Sequence, residues 1–204
     1  MSNLKYLISD NNILAAFDYG SVVYGTHKEN SDHDLIVVVK SKKDMINSQY
    51  DITQYTEQEF KSSIDSHEIS ALECLFLAPK HVHKNNLKIE FNLDKSILRT
   101  SISAKSSNSW VKAKKKFIVE ADYNPYIGQK SAWHTLRMLD FGIQLATLGK
   151  ITNYSESNLL LNSILECKSW NDIDKNFRII YNSKSSNFKL VAPKSTSENK
   201  KMVL

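Results

Sequence analysis

The chain has 204 residues, 41% of them hydrophobic and 24% charged, which excludes the disordered, collagen-like and fibrous classes. The formal net charge is +5, so a polyanionic partner is compatible with the surface but not required by it. The two cysteines, Cys74 and Cys167, lie in apolar stretches, and neither a signal peptide nor a membrane-spanning run is recognisable. We therefore expect buried thiols, a cytoplasmic location and no membrane partner.

Short apolar runs in the first half of the chain predict the strands of a sheet. The first is Ile13 to Tyr19, and the second, His33 to Lys40, is apolar without interruption after its second residue. Continuous apolar character is typical of a central strand covered on both faces. Weaker patterns predict a third strand at Gln49 to Tyr55 and a fourth at Ile89 to Leu93.

Helical patterns follow the strands. Thr56 is a predicted N-cap with Glu59 at the capping-box position, and a second apolar helix is expected from Ile69 to Leu77. The clearest helix is Ile127 to Leu148, with both end residues on its buried stripe and Gly149 as its stop. Two shorter helices are expected at Leu159 to Cys167 and Ile173 to Tyr181.

These patterns divide the chain into three parts. Residues 1–95 read as a small part with strands and helices, residues 96–181 as a helical region, and residues 182–204 as a basic tail. Serine and lysine dominate this tail, which has little to bury, so we expect it to be mobile.

The segment DYGSVVYGTHKENSDHDLIVVV, residues 18–39, carries the chemistry. Asp32 and Asp34 are two positions apart at the start of a strand, so their side chains leave the same face about 6.5 Å apart. Carboxylates placed in this way can bind a pair of magnesium ions. Asp51, in the third predicted strand, is the best third carboxylate, since Glu57 and Glu59 fall on the following helix.

A glycine-serine turn precedes these carboxylates. Gly20 allows the backbone to approach a phosphate closely, and Ser21 offers a hydroxyl and an amide at the start of a short helix. Gly25 is expected to end that helix in a left-handed conformation and to return the chain towards Asp32.

This order of motifs resembles the DNA polymerase β-like nucleotidyltransferase superfamily. YGSVVYGT, SDHDL, the acidic strand QYDITQYT, the helix ALECLF and the later residues Lys130, His134 and Arg137 are similar to predicted nucleotidyltransferases of bacteria and large phages. One branch of that group is associated with RNA ligases. The resemblance implies an α+β fold with a small mixed sheet, followed by a helical C-terminal part, in the cytoplasm of a bacterium or phage-infected host.

The resemblance also implies the reaction and the site. A nucleoside monophosphate is transferred from a nucleoside triphosphate to a hydroxyl acceptor, with two Mg²⁺ ions, or Mn²⁺, as cofactors. By matching positions, Gly20 and Ser21 would hold the triphosphate, and Asp32, Asp34 and Asp51 would hold metal, with Asp51 also the candidate base.

The acceptor is not identified by the resemblance. The basic surface favours RNA or tRNA, although the lysine run from Lys112 to Lys116 is by itself more typical of a solvated face than of a nucleic-acid patch. A protein or small-molecule acceptor and a non-catalytic nucleotide- or RNA-binding module stay open. Lys130, His134 and Arg137 share one helix face and are expected to grip phosphate, although a solvated helix face explains them equally well.

Three histidines receive no ligand role from the pattern. His33 should point away from the face of its aspartate neighbours, which favours a structural role. His81 and His83 have the spacing of strand metal ligands, but the nearby sequence holds nothing that completes a zinc site.

Overall fold

A computed structural model describes residues 2–29, 31–43 and 49–194 of the chain. The chain divides into two compact units, Met1–Asn92 and Leu93–Leu204. The elements of the first unit are α1 (Ser2–Ser9), β1 (Ile13–Tyr19), α2 (Ser21–Tyr24), β2 (Asp34–Val39), β3 (Asp51–Thr56), α3 (Glu57–Asp65), α4 (Ile69–Leu75) and β4 (Val82–Asn85). Those of the second unit are α5 (Lys95–Ile118), α6 (Pro125–Leu148), α7 (Leu161–Glu166) and α8 (Trp170–Val191).

The strands form one mixed sheet in the order β3, β2, β1, β4. β1 is antiparallel to both β2 and β4, whereas β2 and β3 are parallel. The expected α+β fold, with a small mixed sheet and a helical C-terminal part, is therefore confirmed.

β2 is buried on both faces, as its continuous apolar sequence predicts. On one face Leu35, Val37 and Val39 pack with residues of β1 and with the apolar side of α1. On the other face Phe60 of α3 stacks on Phe17 of β1, with ring centroids 6.1 Å apart. Burial on two sides fixes the strand that begins at Asp34, the second aspartate of the motif.

Local signals set several helix ends. The Thr56 side chain accepts from Glu59 N while the Glu59 carboxylate accepts from Thr56 N, which confirms the predicted capping box. Gly149 ends α6 with a φ of 71°, and both cysteines are buried and free.

Some expected elements differ in place. The fourth strand is Val82–Asn85 rather than Ile89 to Leu93, a segment without regular structure. The helix expected at Leu159 to Cys167 is a 3-10 turn, Glu156–Leu160, followed by α7. None of the helices in the described part of the chain could span a membrane.

The second unit corrects two further expectations. Ile127 and Leu148, at the ends of the predicted stripe of α6, are 37% and 57% exposed, because the buried side of the helix at its two ends is formed by neighbouring residues such as Gly128 and Ala146. Residues 182–191 belong to α8 rather than to a mobile tail, since Phe188 is fully buried and Lys184 pairs with the buried Asp140. The rest of the predicted tail, 195–204, lies outside the described residues.

Candidate active site

The turn after β1 depends on a glycine with a positive φ. Gly20 has a φ of 65° and a ψ of −140°, and its carbonyl accepts from Tyr24 N at 3.1 Å across the short helix α2. Gly25 ends that helix with a φ of 72°, as its sequence position predicts. Positive φ is accessible to glycine at little cost.

The Asp34 carboxylate lies directly against Gly20. A Cβ built on Gly20 would be 2.0 Å from Asp34 Oδ2, so no side chain fits at this position. β1 and β2 bring the two residues together, because Tyr19 and Asp34 are paired across the antiparallel ladder. The glycine-serine turn and the aspartate motif therefore meet.

Asp51 begins the neighbouring strand in register with Asp34. The two are paired across the parallel ladder of β2 and β3, and Asp51 N donates to His33 O at 3.0 Å. In-register residues of adjacent strands present their side chains on the same face. Asp51 is exposed and Asp34 partly buried, so the pair stands where the sheet opens to solvent.

The other acidic candidates are placed differently. Asp32 is exposed in the extended segment before β2, two positions from Asp34. Glu57 pairs with Lys61 on α3, and Glu59 is held by Lys42 and the Thr56 cap, which lower the pKa of its carboxyl. These pairings leave Asp51 as the acidic side chain in register with the motif.

In the described part of the chain, no group of three or more histidine, cysteine, aspartate or glutamate side chains is arranged to hold a metal ion. Magnesium sites in phosphoryl-transfer enzymes are commonly completed by substrate phosphates and water around one or two carboxylates. Asp34 and Asp51 supply oxygen ligands of the type that Mg²⁺ prefers, and the missing Cβ of Gly20 lets the Asp34 carboxylate lie against the backbone of the glycine-serine turn. The residues present therefore fit such a site.

Three histidines surround one buried aspartate behind the sequence motif. Asp18 accepts from His33 Nε2 at 2.9 Å, His81 Nδ1 at 2.9 Å and His83 Nε2 at 2.6 Å. Burial raises the pKa of the Asp18 carboxyl, but the three hydrogen bonds outweigh burial and hold the pKa well below its usual range. The sequence does not predict this cluster, because its members come from distant positions in the chain.

Glu73 supports the glycine-serine turn from α4. The side chain is 1% exposed and accepts from Tyr24 Oη at 2.6 Å, with Tyr19 Oη at 3.5 Å. These tyrosines lie on either side of the turn in the chain, so Glu73 of α4 holds both ends of the turn in place. The position of Glu73 in an apolar helix is its only sequence signal.

Lys130, His134 and Arg137 lie on α6 in the second unit. Arg137 is 4% exposed, lies over the Trp133 ring at 4.7 Å and places Nη2 2.5 Å from His134 Nδ1. A guanidinium only donates, so Nδ1 accepts and the His134 ring is neutral with its proton on Nε2. Lys130 is exposed.

The electrostatics agree with that tautomer. Burial, followed by the positive charges of Arg137, Lys105 and Lys112, holds the pKa of His134 well below its usual value. α5 and α6 therefore gather cations around a neutral histidine, an arrangement that attracts anions.

Comparison with known proteins identifies the class. The family described as "Polymerase beta, Nucleotidyltransferase" matches residues 3–103, a range that contains Gly20 and all three aspartates, and no curated protein is significantly similar in sequence. Among solved structures, the chain is similar to the spectinomycin adenyltransferase AAD(9) from Enterococcus faecialis, determined with ATP and spectinomycin. The TM-score is 0.49 and the identity 15%, over 92% of this chain and 97% of that chain. The protein is an enzyme of the nucleotidyltransferase class and belongs to the DNA polymerase β-like nucleotidyltransferase superfamily.

Proposed function

We propose that the protein transfers a nucleoside monophosphate from a nucleoside triphosphate to a hydroxyl acceptor and releases pyrophosphate. The family supports the reaction class. The observation that carries the site is the contact of Gly20 with Asp34, which is itself in register with Asp51. This arrangement joins a position of close phosphate approach to two carboxylates.

The proposed site residues of the first unit have two kinds of role, phosphate binding and metal binding. Gly20 and Ser21 hold the triphosphate through backbone amides and the serine hydroxyl, while Asp32, Asp34 and Asp51 hold two Mg²⁺ ions or Mn²⁺. When bound, the ions neutralise phosphate charge and lower the pKa of the acceptor hydroxyl. Asp51, which is exposed, accepts the hydroxyl proton as the oxygen bonds to the α-phosphorus and the bond from that phosphorus to pyrophosphate breaks in line.

For the second unit we propose that Lys130 and His134 contact phosphate, with Arg137 beside them. Lys130 offers an exposed ammonium, and the neutral His134 ring keeps Nε2–H as a donor. Arg137 is covered by the rings of Trp133 and Phe141, so its contribution is positive potential and the orientation of His134.

RNA, including tRNA, is the favoured acceptor. The support is electrostatic, because Lys112, Lys114 and Lys115 are all exposed on α5 and neighbouring exposed cations attract a polyanion. A protein or small-molecule acceptor would use the same first-unit site and is distinguished by experiment.

The test is transfer of label. Full-length protein is incubated with Mg²⁺, each α-labelled nucleoside triphosphate and total RNA, beside the double variant Asp32→Ala, Asp34→Ala. We expect labelled RNA and free pyrophosphate from the wild type and neither from the variant. A labelled band that survives nuclease but not protease would assign a protein acceptor. Label that persists in the variant, or triphosphate binding without pyrophosphate release for every acceptor, would refute the proposed site.

A further inference from the structure

A row of side chains lies on the face of the sheet opposite Asp34. His33 is one position from Asp34 in extended chain, so its side chain leaves the other face. There its Nε2 lies 2.9 Å from Asp18 Oδ1, and its ring meets the Tyr50 ring edge-on, with centroids 5.0 Å apart and an angle of 63° between the planes.

Two members of this row, His33 and Tyr50, are next in the chain to carboxylates of the proposed site. His33 stands between Asp32 and Asp34 in the chain, and Tyr50 directly precedes Asp51. The backbone repeats the connection, because Asp51 N donates to His33 O at 3.0 Å. The ring of His33 is therefore linked to the backbone positions of all three aspartates.

Among the three aspartates, Asp32 depends most on His33 for its position. Residues 31–33 precede β2 and lie outside its ladder, so the strand pairing that fixes Asp34 does not reach Asp32. The His33 side chain ties this segment to Asp18 of β1, which is 5% exposed.

Asp18 is anchored independently of His33. His83 Nε2 at 2.6 Å and His81 Nδ1 at 2.9 Å contact the same carboxylate from β4 and the turn before it. An ionised carboxylate only accepts, so each imidazole presents an N–H to it. Loss of His33 alone leaves Asp18 with two donors, whereas it removes the side-chain hydrogen bond that ties residues 31–33 to β1.

We infer that His33, oriented by Asp18, is a positioning residue that sets the spacing of Asp32, Asp34 and Asp51 from the back of the sheet and thereby their affinity for divalent cations. The inference rests on the proposed metal-dependent function. Groups that orient metal ligands without touching the metal commonly change its affinity by about 10–100-fold when removed.

The experiment measures Mn²⁺ affinity by electron paramagnetic resonance on the full chain with a non-hydrolysable triphosphate. The variants are His33→Ala, His33→Gln, which keeps a donor at the reach of Nε2, and His83→Ala as the matched control. His83 touches the same Asp18 oxygen but is not adjacent to any of the three aspartates. Melting temperatures are recorded for every variant.

We expect His33→Ala to weaken Mn²⁺ binding by about tenfold, His33→Gln to recover most of the loss, and His83→Ala to bind within about twofold of wild type. The transfer defect of His33→Ala should shrink as Mn²⁺ is raised. If His33→Ala does not fold, His33→Phe, which keeps a ring against Tyr50 but has no N–H, should show the same weakening relative to His33→Gln.

Two results would overturn the inference while leaving the proposed function intact. One is a folded His33→Ala, or His33→Phe, with wild-type Mn²⁺ affinity. The other is equal weakening in His83→Ala, which would assign the effect to general loss of stability. A wild-type protein that binds no Mn²⁺ with triphosphate would instead reject the metal-dependent function, and this inference with it.

Discussion

Two glycines with positive φ bound the turn that follows β1, and they differ in their surroundings. A Cβ on Gly20 would meet Asp34 Oδ2 at 2.0 Å, whereas a Cβ on Gly25 would meet nothing within 4 Å. Both positions impose backbone strain on alanine, about 1–3 kcal/mol. Only Gly20→Ala also displaces a carboxylate of the proposed site.

Gly20→Ala should therefore lose transfer activity by about 100-fold or more, the scale expected when a reacting group is displaced by about 1 Å. Gly25→Ala should lose stability in urea through backbone strain alone but keep activity within a few fold, because its new methyl group faces open space. Steady-state kinetics and urea midpoints on both variants separate the clash from the strain. Equal activities in the two variants would contradict the role given to Gly20.

His134 gives the helical unit a pH dependence whose sign follows from its environment. Its pKa in the folded protein is held well below the usual value, first by burial and then by neighbouring cations. The unfolded chain binds a proton below about pH 6.5 that the folded chain rejects. The contribution of His134 to the free energy of unfolding is therefore fully present above that pH and is lost as the pH falls below it.

The variant His134→Gln has no imidazole to protonate, so it should lose this part of the pH dependence of stability. Between pH 7 and pH 5, the free energy of unfolding of the wild type should fall more steeply than that of the variant, by at most about 1.4 kcal/mol per pH unit. Urea titrations across this range measure the difference. Parallel curves would show that the folded protein protonates His134 as readily as the unfolded chain does.

The sequence predicts those strands and helices whose positions are determined by local signals. β1 is predicted with its observed bounds, because an apolar run that ends at glycine marks a strand locally. β4 and α1 escape prediction, since the short polar sequence of β4 becomes a strand only through pairing with β1. In the site, Gly20 and Asp34 come from one motif, whereas the partners of Asp18 lie up to 65 positions away.

The last turns of α8 show how composition misleads. Serine and lysine dominate residues 182–191, yet Phe177, Lys184 and Phe188 continue the buried side of the helix. Phe188 is fully buried and packs so closely on α6 that a Cβ on Gly142 would lie 2.9 Å from its ring. A single aromatic residue outweighs the polar background.

This packing predicts a contrast within one helix. Phe188→Ala should lower the free energy of unfolding by about 3–5 kcal/mol through the cavity that it leaves. Leu190→Ala, two positions later at 80% exposure, should change it by less than about 0.5 kcal/mol. Urea denaturation measures both, and a similar small effect for the two would mean that α8 is not docked.

The net charge of the protein is +5, and it can favour an RNA acceptor over others only if the excess positive charge is gathered on one surface. On α5, Lys116 is paired with Asp122, whereas Lys112, Lys114 and Lys115 are exposed. A matched set of three exposed lysines lies elsewhere in the same unit, at Lys150, Lys175 and Lys189. Replacing either set by serine changes the net charge equally, so total charge and local charge can be separated.

If RNA is the acceptor, the triple serine variant of α5 should bind tRNA more weakly than the matched triple variant does. Each phosphate contact releases counterions when it forms, so a variant with fewer contacts releases fewer counterions. The slope of log Kd against log salt should therefore fall in magnitude by about 2 for the α5 variant. The matched variant should keep a slope near that of wild type. Fluorescence anisotropy at several salt concentrations provides both values. Equal slopes would mean that the excess charge acts on the molecule as a whole, and the acceptor would then be sought among proteins or small molecules.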